Sequence, residues 1–297
     1  MNLMITSVEQ GLIFGVLAMG VFITYKILDI ADLSVEGTFP FGAFIFARFV
    51  TMGVNPIFAT IIAFFFGTLA GLLTSTLFIK LKIKPILAGI LTMTLLYSVN
   101  LRTNGKSNVP LFNFDSVFDL GRVLIVLIVV VLIIKLIMDN FLKTESGYLL
   151  IATGDNESIV TSLGQNPNKY KIIGLMIANG LVALSGALMA QYQGFVDITM
   201  GSAMIVTALA SIIIGDTIMK SSNILKDTTR AIIGALVYRT IGGIAIYLGL
   251  NPTDLKAISA IIVIIFIAYN NVSSGYISKR KGANGNVRNK AIVKNIQ

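Results

Sequence analysis

The chain has 297 residues, of which 55% are hydrophobic and 12% are charged, and its mean hydropathy is +0.86. Soluble domains carry about 25% charged residues, so a bilayer rather than water must surround most of this chain. Cys, His and Trp are absent, which excludes disulfides, thiol nucleophiles and Cys/His zinc sites. The formal net charge of +9 is interpreted as an orientation signal for membrane insertion and not as a nucleic-acid-binding surface.

Nine apolar runs follow one another along the sequence. They cover 11–28, 39–52, 56–79, 83–101, 123–138, 172–191, 203–219, 231–250 and 258–270. A membrane-spanning helix needs roughly 17 to 25 residues, and run 39–52 is short for this. The sequence predicts an all-α, polytopic membrane bundle of about nine helices, with about eight to ten as the range. The start of the chain carries Glu9 before any Lys or Arg, so a cleavable signal peptide is not expected.

An acidic segment follows the first run. Asp29, Asp32 and Glu36 lie there, followed by Gly37 and Pro40. This combination favours a broken helix, and irregular backbone at membrane depth usually lines a cavity or is buried in protein. Glu36 and Gly37 are therefore predicted gate or pathway residues, with an ordinary surface loop as the alternative.

Lysine and arginine residues are concentrated in four segments outside the runs. These are Lys80, Lys82 and Lys84; Lys143, Lys169 and Lys171; Lys220, Lys226 and Arg230; and, in the tail, Lys279, Arg280, Lys281, Arg288, Lys290 and Lys294. Alternation across the runs puts all of these segments on one side, which the positive-inside rule makes cytoplasmic. The N-terminus is then predicted outside and the tail inside.

The longest predicted cytoplasmic connection, 144–170, has the pattern of a short amphipathic helix. Asp155 is the predicted cap beside Asn156, and Glu157 lies in the first turn, where the helix dipole favours an acid. Gly164 is predicted to end the helix, and Pro167 prevents its continuation. Three residues are predicted to form its apolar face, namely Ile159, Val160 and Leu163.

A helix this short is marginal on its own, so it must dock on something. One interpretation places it on lipid or under its own bundle. The other makes it a plug for a groove in a partner protein, and the sequence leaves both open.

Polar residues within the later runs are candidates either for lining a pathway or for bonding neighbouring helices. They are Tyr97, Asn100, Asn179, Gln191, Thr207 and Ser211. Arg239 lies within run 231–250, where an unpaired guanidinium costs roughly 3 kcal/mol or more. It is predicted to line the pathway, to pair with an acid, or to reach toward the membrane surface.

Motifs for an internal energy source are missing. No G-x-x-x-x-G-K-[ST] and no H-E-x-x-H occurs, so no ATP site, cofactor or metal is expected in this chain. The runs hold few carboxylates of the kind an ion-coupled carrier uses, and no nucleophile–base set for an enzyme. We interpret the chain as a transport protein driven from outside. An ion-coupled secondary transporter and a non-transporting membrane scaffold are the alternatives.

The end of the sequence differs from the rest. From Ser273 onwards it is rich in Gly, Asn and Lys, a composition typical of solvated, disordered chain. We predict a membrane domain over 1–275 and a basic, disordered cytoplasmic tail over 276–297. Membrane lipid is the expected partner of the apolar surface.

Three segments carry a family resemblance. They are the loop helix, the small-residue stretch GLMIANGLVALSGALMAQYQG with the following GSAMIVTALASIIIGDTI, and the first hairpin, GLIFGVLAMGVFITYKILDIADLSVEGTFPFGAF. Over most of residues 8–270, the sequence resembles permease subunits of bacterial ABC importers of the branched-chain amino acid and ribose class. The stretch DLSVEGTFPFGA resembles a subgroup paired with tryptophan- and tyrosine-type binding lipoproteins. Where the family typically has Gly-Gly, this chain has Gly215-Asp216.

The resemblance implies a set of partners and a mechanism. Two permease chains, in a homodimer by preference, would line one pathway in the bacterial inner membrane. Separate ATPase subunits would dock on the coupling helix, which corresponds to 156–164 here, and an extracytoplasmic binding lipoprotein would deliver solute. A small solute, with an amino acid favoured, would cross by alternating access as the ATPases close and reopen.

Overall fold

The computed structural model describes residues 3–219 and 227–250, together with isolated positions between 257 and 265. The described chain forms ten α-helices: α1 Leu3–Phe22, α2 Val35–Thr51, α3 Pro56–Ile79, α4 Pro85–Asn104, α5 Val123–Leu142, α6 Glu145–Asp155, α7 Glu157–Ser162, α8 Pro167–Gln193, α9 Met204–Ile218 and α10 Asp227–Tyr247. A π-helical turn, Ile23–Ile27, extends α1, and two 3₁₀ turns cover Val117–Leu120 and Ile198–Gly201. Strands β1 Asn108–Pro110 and β2 Phe195–Asp197 form a small antiparallel ribbon.

Seven of the described segments are long and apolar enough to cross a membrane. They are Met4–Ile27, Pro56–Ile79, Pro85–Asn104, Val123–Leu142, Pro167–Gln193, Ile198–Ile218 and Asp227–Tyr247. This confirms the predicted all-α polytopic bundle, for which the count of about nine is approximate. The short run 39–52 forms part of α2. Most of run 258–270 and the predicted tail 276–297 lie outside the described residues.

Helix α2 lies inside the protein rather than against lipid. Every residue from Gly37 to Ala47 is buried, as expected for a helix that is apolar on all sides. It packs against α3, α4 and α8. A Cβ atom on Gly42 would lie 2.0 Å from Ala183 O of α8, so glycine lets these two backbones touch. A helix of 17 residues can therefore serve at the centre, because protein covers its sides from Gly37 to Ala47.

Two long helices begin with the same local signal. Asn55 and Asn166 each cap the helix that starts at the following proline, and their side chains accept hydrogen bonds from Ile57 N at 2.9 Å and Asn168 N at 3.0 Å. Asparagine at the cap and proline in the first turn satisfy or remove N–H groups that a helix start would leave unpaired. These dipeptides fix where α3 and α8 begin.

The bundle has two ends, named here by their contents. The loop-helix end carries α6 and α7, and the ribbon end carries β1 and β2. Lys171 at the loop-helix end lies over the ring of Phe78, 5.5 Å from its centroid, and Phe78 lies two residues before Lys80, where the basic connection 80–84 begins. The described basic clusters thus share the loop-helix end. Lys220, Lys226 and the basic tail lie outside the described residues.

Candidate functional site

A cavity of about 350 Å³ lies between α2, α4 and the 3₁₀ turn Ile198–Gly201. Four residues predicted from the sequence to belong to the gate or pathway line it together, namely Glu36, Gly37, Tyr97 and Asn100. Sequence reasoning missed Thr199 and Ser202, which line it from the other side. Their only sequence signal is their place at the junction between two apolar runs.

Pro40 explains why the turn can approach α2 at this point. Proline has no N–H, so the carbonyl of Glu36 lacks its usual helical donor. Gly201 packs directly on that carbonyl, and a Cβ atom on Gly201 would lie 1.9 Å from Glu36 O. Glu36 and Gly37 are helical, because α2 begins at Val35. The irregular backbone expected at these two residues instead lies before α2 and before α9.

The side chain of Glu36 holds the start of α9. Its Oε1 accepts a hydrogen bond from Ala203 N at 3.1 Å, and Ala203 is the N-cap residue, with a left-handed φ of 64°. Non-glycine residues rarely adopt this φ. A carboxylate at a helix N-terminus also interacts favourably with the helix dipole. Glu36 therefore stabilises a strained helix start while it lines the cavity.

The cavity reaches a face of α4 that is exposed and partly polar. Thr94 and Tyr97 line the cavity, and both are exposed, with Tyr97 52% accessible. Ser98 is exposed beside them. Large apolar side chains of α4 are exposed as well, among them Leu95 at 52% and Val99 at 43%. This face therefore combines polar and apolar groups.

Asn179 occupies a different place, in the contact between α8 and the start of α2. Its Nδ2 donates to Asp32 Oδ2 at 2.8 Å, and its Oδ1 accepts from Ser34 Oγ at 3.0 Å and from Thr38 Oγ1 at 2.7 Å. Asp32, Ser34, Thr38 and Asn179 are all buried. Of the two roles predicted for Asn179, the geometry matches the bond between helices.

Gln191 also bonds neighbouring elements. It accepts from Val117 N at 2.9 Å and donates to Thr60 Oγ1 at 3.0 Å, so it ties a 3₁₀ turn and α3 to α8. It also lines a second cavity, of about 280 Å³, near the ribbon end.

Two predicted pathway residues on α9 bond within their own helix. Thr207 Oγ1 donates to Ala203 O at 3.2 Å, and Ser211 Oγ donates to Thr207 O at 2.7 Å. Ser211 lies against Gly234 of α10, where an added Cβ atom would be 1.8 Å from Ser211 O. The structure places Ser211 in the α9–α10 contact, apart from the cavity.

Arg239 lies between α10 and α1. Its guanidinium carbon is 4.2 Å from the centroid of the Phe14 ring, a cation–π contact that is strongest where water is excluded. The buried Nε atom has no hydrogen-bond partner among the described residues. Among the described residues, Arg239 lines neither the cavity beside α4 nor the second cavity near the ribbon end and forms no ion pair, and the aromatic contact was not anticipated.

The 144–170 connection contains two helices where the sequence predicted one. Helix α6 ends at Asp155, and the cap of α7 is Asn156, whose Oδ1 accepts from Ser158 N at 2.9 Å. The assignment of Asp155 as the cap is wrong, because Asp155 completes the preceding helix. Thr144 followed by Glu145 is a recognisable helix start and could have revealed α6.

The end of α7 follows the prediction. Gly164 has a φ of +72°, Gly164 N donates to Thr161 O at 2.9 Å, and Gln165 N donates to Val160 O at 3.1 Å. This pair of bonds is a Schellman motif, which favours glycine at the left-handed position. Helix α7 therefore ends at a fixed place and in a fixed direction.

The apolar residues of α7 divide between two directions. Val160 is fully buried against its own chain, whereas Ile159 is 49% and Leu163 is 63% exposed. The prediction of one shared apolar face is therefore wrong for Val160. Lys171 Nζ bonds Glu157 Oε1 at 2.7 Å and ties α7 to α8. The two exposed side chains, one helical turn apart, form a small apolar surface at the loop-helix end.

Helix α6 touches the end of α1 backbone to backbone. A Cβ atom on Gly154 would lie 1.6 Å from Ile27 O. The neighbouring Lys26 bonds Asp216 Oδ2 of α9 at 2.7 Å, and Arg230 of α10 bonds Asp216 Oδ1 at 3.0 Å. Asp216, the departure from the Gly-Gly pattern, thus joins α1, α9 and α10 through an ion-pair cluster that the sequence did not predict.

Asp197 lies beside the cavity and outside the membrane-spanning segments, and hydrogen bonds stabilise the charged form of its carboxyl group. Asp197 Oδ1 accepts from Thr199 N at 2.8 Å and from Thr199 Oγ1 at 2.5 Å. These bonds to Thr199, helped by Asn108, hold the pKa of the Asp197 carboxyl below its ordinary value of 3.8. The ionised carboxylate therefore fixes the turn that carries Thr199 into the cavity.

The fold and these sites define a class of protein. It is a multi-pass membrane bundle with a cavity at its surface that a few polar side chains line, and with a capped helix pair at one end, as expected for a transport subunit moved by a partner. The sequence matches the family described as branched-chain amino acid transport system / permease component over residues 3–268. The chain belongs to this family and is a permease subunit of an ATP-binding-cassette importer.

Similar proteins agree with this assignment. A tyrosine transport system permease protein of Clostridioides difficile is 47% identical over 275 residues, which cover 92% of this chain and 93% of that protein. The ribose import permease protein of Escherichia coli K12 is 24% identical, covering 91% and 86%. A chain in the solved structure of PsaBC from Streptococcus pneumoniae in complex with Fab aligns with a TM-score of 0.51 at 19% identity, covering 89% of each chain. That last likeness concerns the fold alone.

Proposed function

We propose that this chain imports an amino acid as one of two identical permease subunits, along a pathway that follows the exposed face of α4. The cavity between α2, α4 and the turn Ile198–Gly201 carries the proposal. It reaches a face of α4 with polar, exposed residues at membrane depth, and a second copy packed over that face would enclose the cavity. The 47% identity to a tyrosine transport permease supports an amino acid as solute.

The energy for transport comes from separate ATPase subunits that dock at the loop-helix end. Ile159 and Leu163 are the proposed contact, because they are apolar, exposed and fixed by the caps and ion pair of α7. The basic clusters at this end support a cytoplasmic location under the positive-inside rule. The chain then lies in the inner membrane of a bacterium, and a solute-binding lipoprotein delivers its ligand at the ribbon end. The proposed membrane domain covers residues 1–275, and residues 276–297 form a basic cytoplasmic tail.

Reconstitution of the intact importer in proteoliposomes tests this function. We expect ATP-dependent uptake of labelled L-tyrosine, and we expect Ile159→Asp or Leu163→Asp to lower it roughly tenfold or more. Each apolar side chain contributes about 1.5–3 kcal/mol when it is buried in a partner, and a carboxylate cannot replace it. The thermal midpoint of the purified permease should not change, because both residues are exposed in the single chain.

Ser158→Asp is the matched control. It adds the same charge to the same exposed helix, at a position where an acid suits the helix start, and uptake should stay near that of wild type. Wild-type uptake in both α7 variants would contradict the docking surface. Absence of an ATP-hydrolysing subunit from the complex isolated from native membranes would contradict the function itself.

A further inference from the structure

The oxygen of the Asn100 side chain is a buried acceptor without a partner. Asn100 is fully buried and lines the cavity. Its Nδ2 faces Gly37 O at 3.5 Å, which fixes the amide orientation, because an oxygen in that place would face another acceptor. The Oδ1 atom has no hydrogen-bond partner among the described residues. A buried acceptor without a partner destabilises the fold, so a donor from outside the chain is the natural complement.

The other polar side chains around the cavity can all accept hydrogen bonds as well, and the hydroxyls among them can also donate. Glu36 carries the only charge among the described lining residues, and that charge is negative. The hydroxyls of Thr94 and Thr199 already donate, to Ile90 O and to Asp197 Oδ1. Their free lone pairs are therefore what they offer to a ligand. The cavity complements a ligand group that is positively charged and rich in donors.

We propose that this cavity binds the ammonium group of the transported solute, with Asn100 Oδ1 and the Glu36 carboxylate as its acceptors. An ammonium has three N–H donors and no acceptor, which matches this lining. A carboxylate would meet Glu36 as a like charge. The proposal rests on the proposed function and deepens it, since it assigns the amine end of an amino acid to one place in the pathway.

Three small probes with the same phenol ring separate the two charged ends of an amino acid. Tyramine has only the ammonium, 3-(4-hydroxyphenyl)propanoate has only the carboxylate, and L-tyrosine has both. Saturation-transfer NMR on the purified full-length permease in nanodiscs measures the binding of each without ATPase or binding protein. We expect tyramine and L-tyrosine to bind, and the propanoate to bind roughly tenfold or more weakly, because hydrogen bonds to charged groups are the strong ones.

Two variants test the two acceptors. Asn100→Leu removes the unpaired oxygen at similar volume, and Glu36→Gln removes the charge but keeps an oxygen that can accept from Ala203 N. Each should weaken tyramine binding roughly tenfold. Asn104→Leu is the matched control. Its Nδ2 donates to Phe44 O at 2.9 Å from the same helix and it lies outside the cavity lining, so binding should be unchanged.

The outcomes separate this inference from the function on which it rests. Equal binding of the propanoate and tyramine, or tyramine binding at wild-type strength in both variants, overturns the ammonium site even if the importer transports. Selective tyramine binding that both variants weaken supports the site. Failure of ATP-driven uptake, with tyramine binding intact, would count against the proposed function alone. If Asn100→Leu fails to fold, tyramine binding to the Glu36→Gln variant still tests the ammonium site.

Discussion

Two buried amides lie on different flanks of α2, and they are used differently. On the flank toward α8, Asn179 bonds Asp32, Ser34 and Thr38, so both ends of its amide are paired. On the flank toward α4, Asn100 leaves its oxygen unpaired beside a cavity. One flank is closed and the other is open. Full pairing indicates a contact that holds helices together, whereas incomplete pairing next to empty space indicates a place for a ligand.

The largest expected loss of stability comes from a substitution on the closed flank, the contact between α2 and α8. Asn179→Leu leaves the Asp32 carboxylate and two hydroxyls without a shared partner, so the free energy of unfolding should fall by about 3 kcal/mol. Thermal unfolding of the purified permease in detergent measures it. Asn100→Leu is the comparison and should stay within about 1 kcal/mol of wild type, because it removes an acceptor that was already unpaired. Equal losses in the two variants would erase the distinction between the flanks.

A smaller effect comes from the backbone contact on the same flank. Gly42→Ala places a methyl carbon 2.0 Å from Ala183 O, so α2 and α8 must separate. Overpacking of this kind costs about 1–3 kcal/mol, and the thermal midpoint should fall accordingly. Gly121→Ala is the control, because its nearest neighbour would be Val126 at 4.0 Å. An unchanged midpoint in Gly42→Ala would mean that the closed flank is loosely packed.

The smallest effect concerns the turn beside the open flank and depends on pH. The folded-state pKa of Asp197 lies below its ordinary value of 3.8, so its ionised form stabilises the fold above that value. The contribution disappears as the pH falls through the folded-state pKa. Asp197→Asn should lower the thermal midpoint by about 1–2 °C at pH 7, less at high salt because the carboxylate is largely exposed. The difference from wild type should shrink as the pH falls below that ordinary value.

A constant difference between wild type and Asp197→Asn from pH 7 to pH 3 would show that the charge of Asp197 does not fix the turn. The carboxamide keeps one acceptor for Thr199 N but loses the one that accepts from Asn108 Nδ2, so the dependence of the difference on pH, and not its size, reports the charge. The measurement therefore tests the charge of the turn separately from its shape.

Local signals in the sequence predict much of the fold. Run 203–219 nearly coincides with α9, Met204–Ile218, because polar residues bound the apolar run on both sides. The end of α7 at Gly164 was predictable from the left-handed residue that such an end requires. The proline after Asn55 or Asn166 likewise marks a helix start.

What the sequence could not supply is which polar residues meet across the bundle. Asn100 and Asn179 are the same residue type in similar apolar helices. Their partners on and before α2 are 63 and 147 positions away, so nothing local tells the open flank from the closed one. Ile159, Val160 and Leu163 pose the same problem, because only the packed bundle decides that Val160 faces inward.

The contact between Gly154 and Ile27 has a mechanical consequence. No side chain lies between α6 and the last turn of α1 at this point. A displacement of α6 therefore cannot be absorbed by side-chain rearrangement. We expect a push on the loop-helix end to shift Lys26 together with α6 as one rigid lever. Relative movement between the loop-helix end and helices α9 and α10 would then have to occur at the ion pairs to Asp216. Ion pairs can break and re-form over small distances, whereas packed backbone cannot.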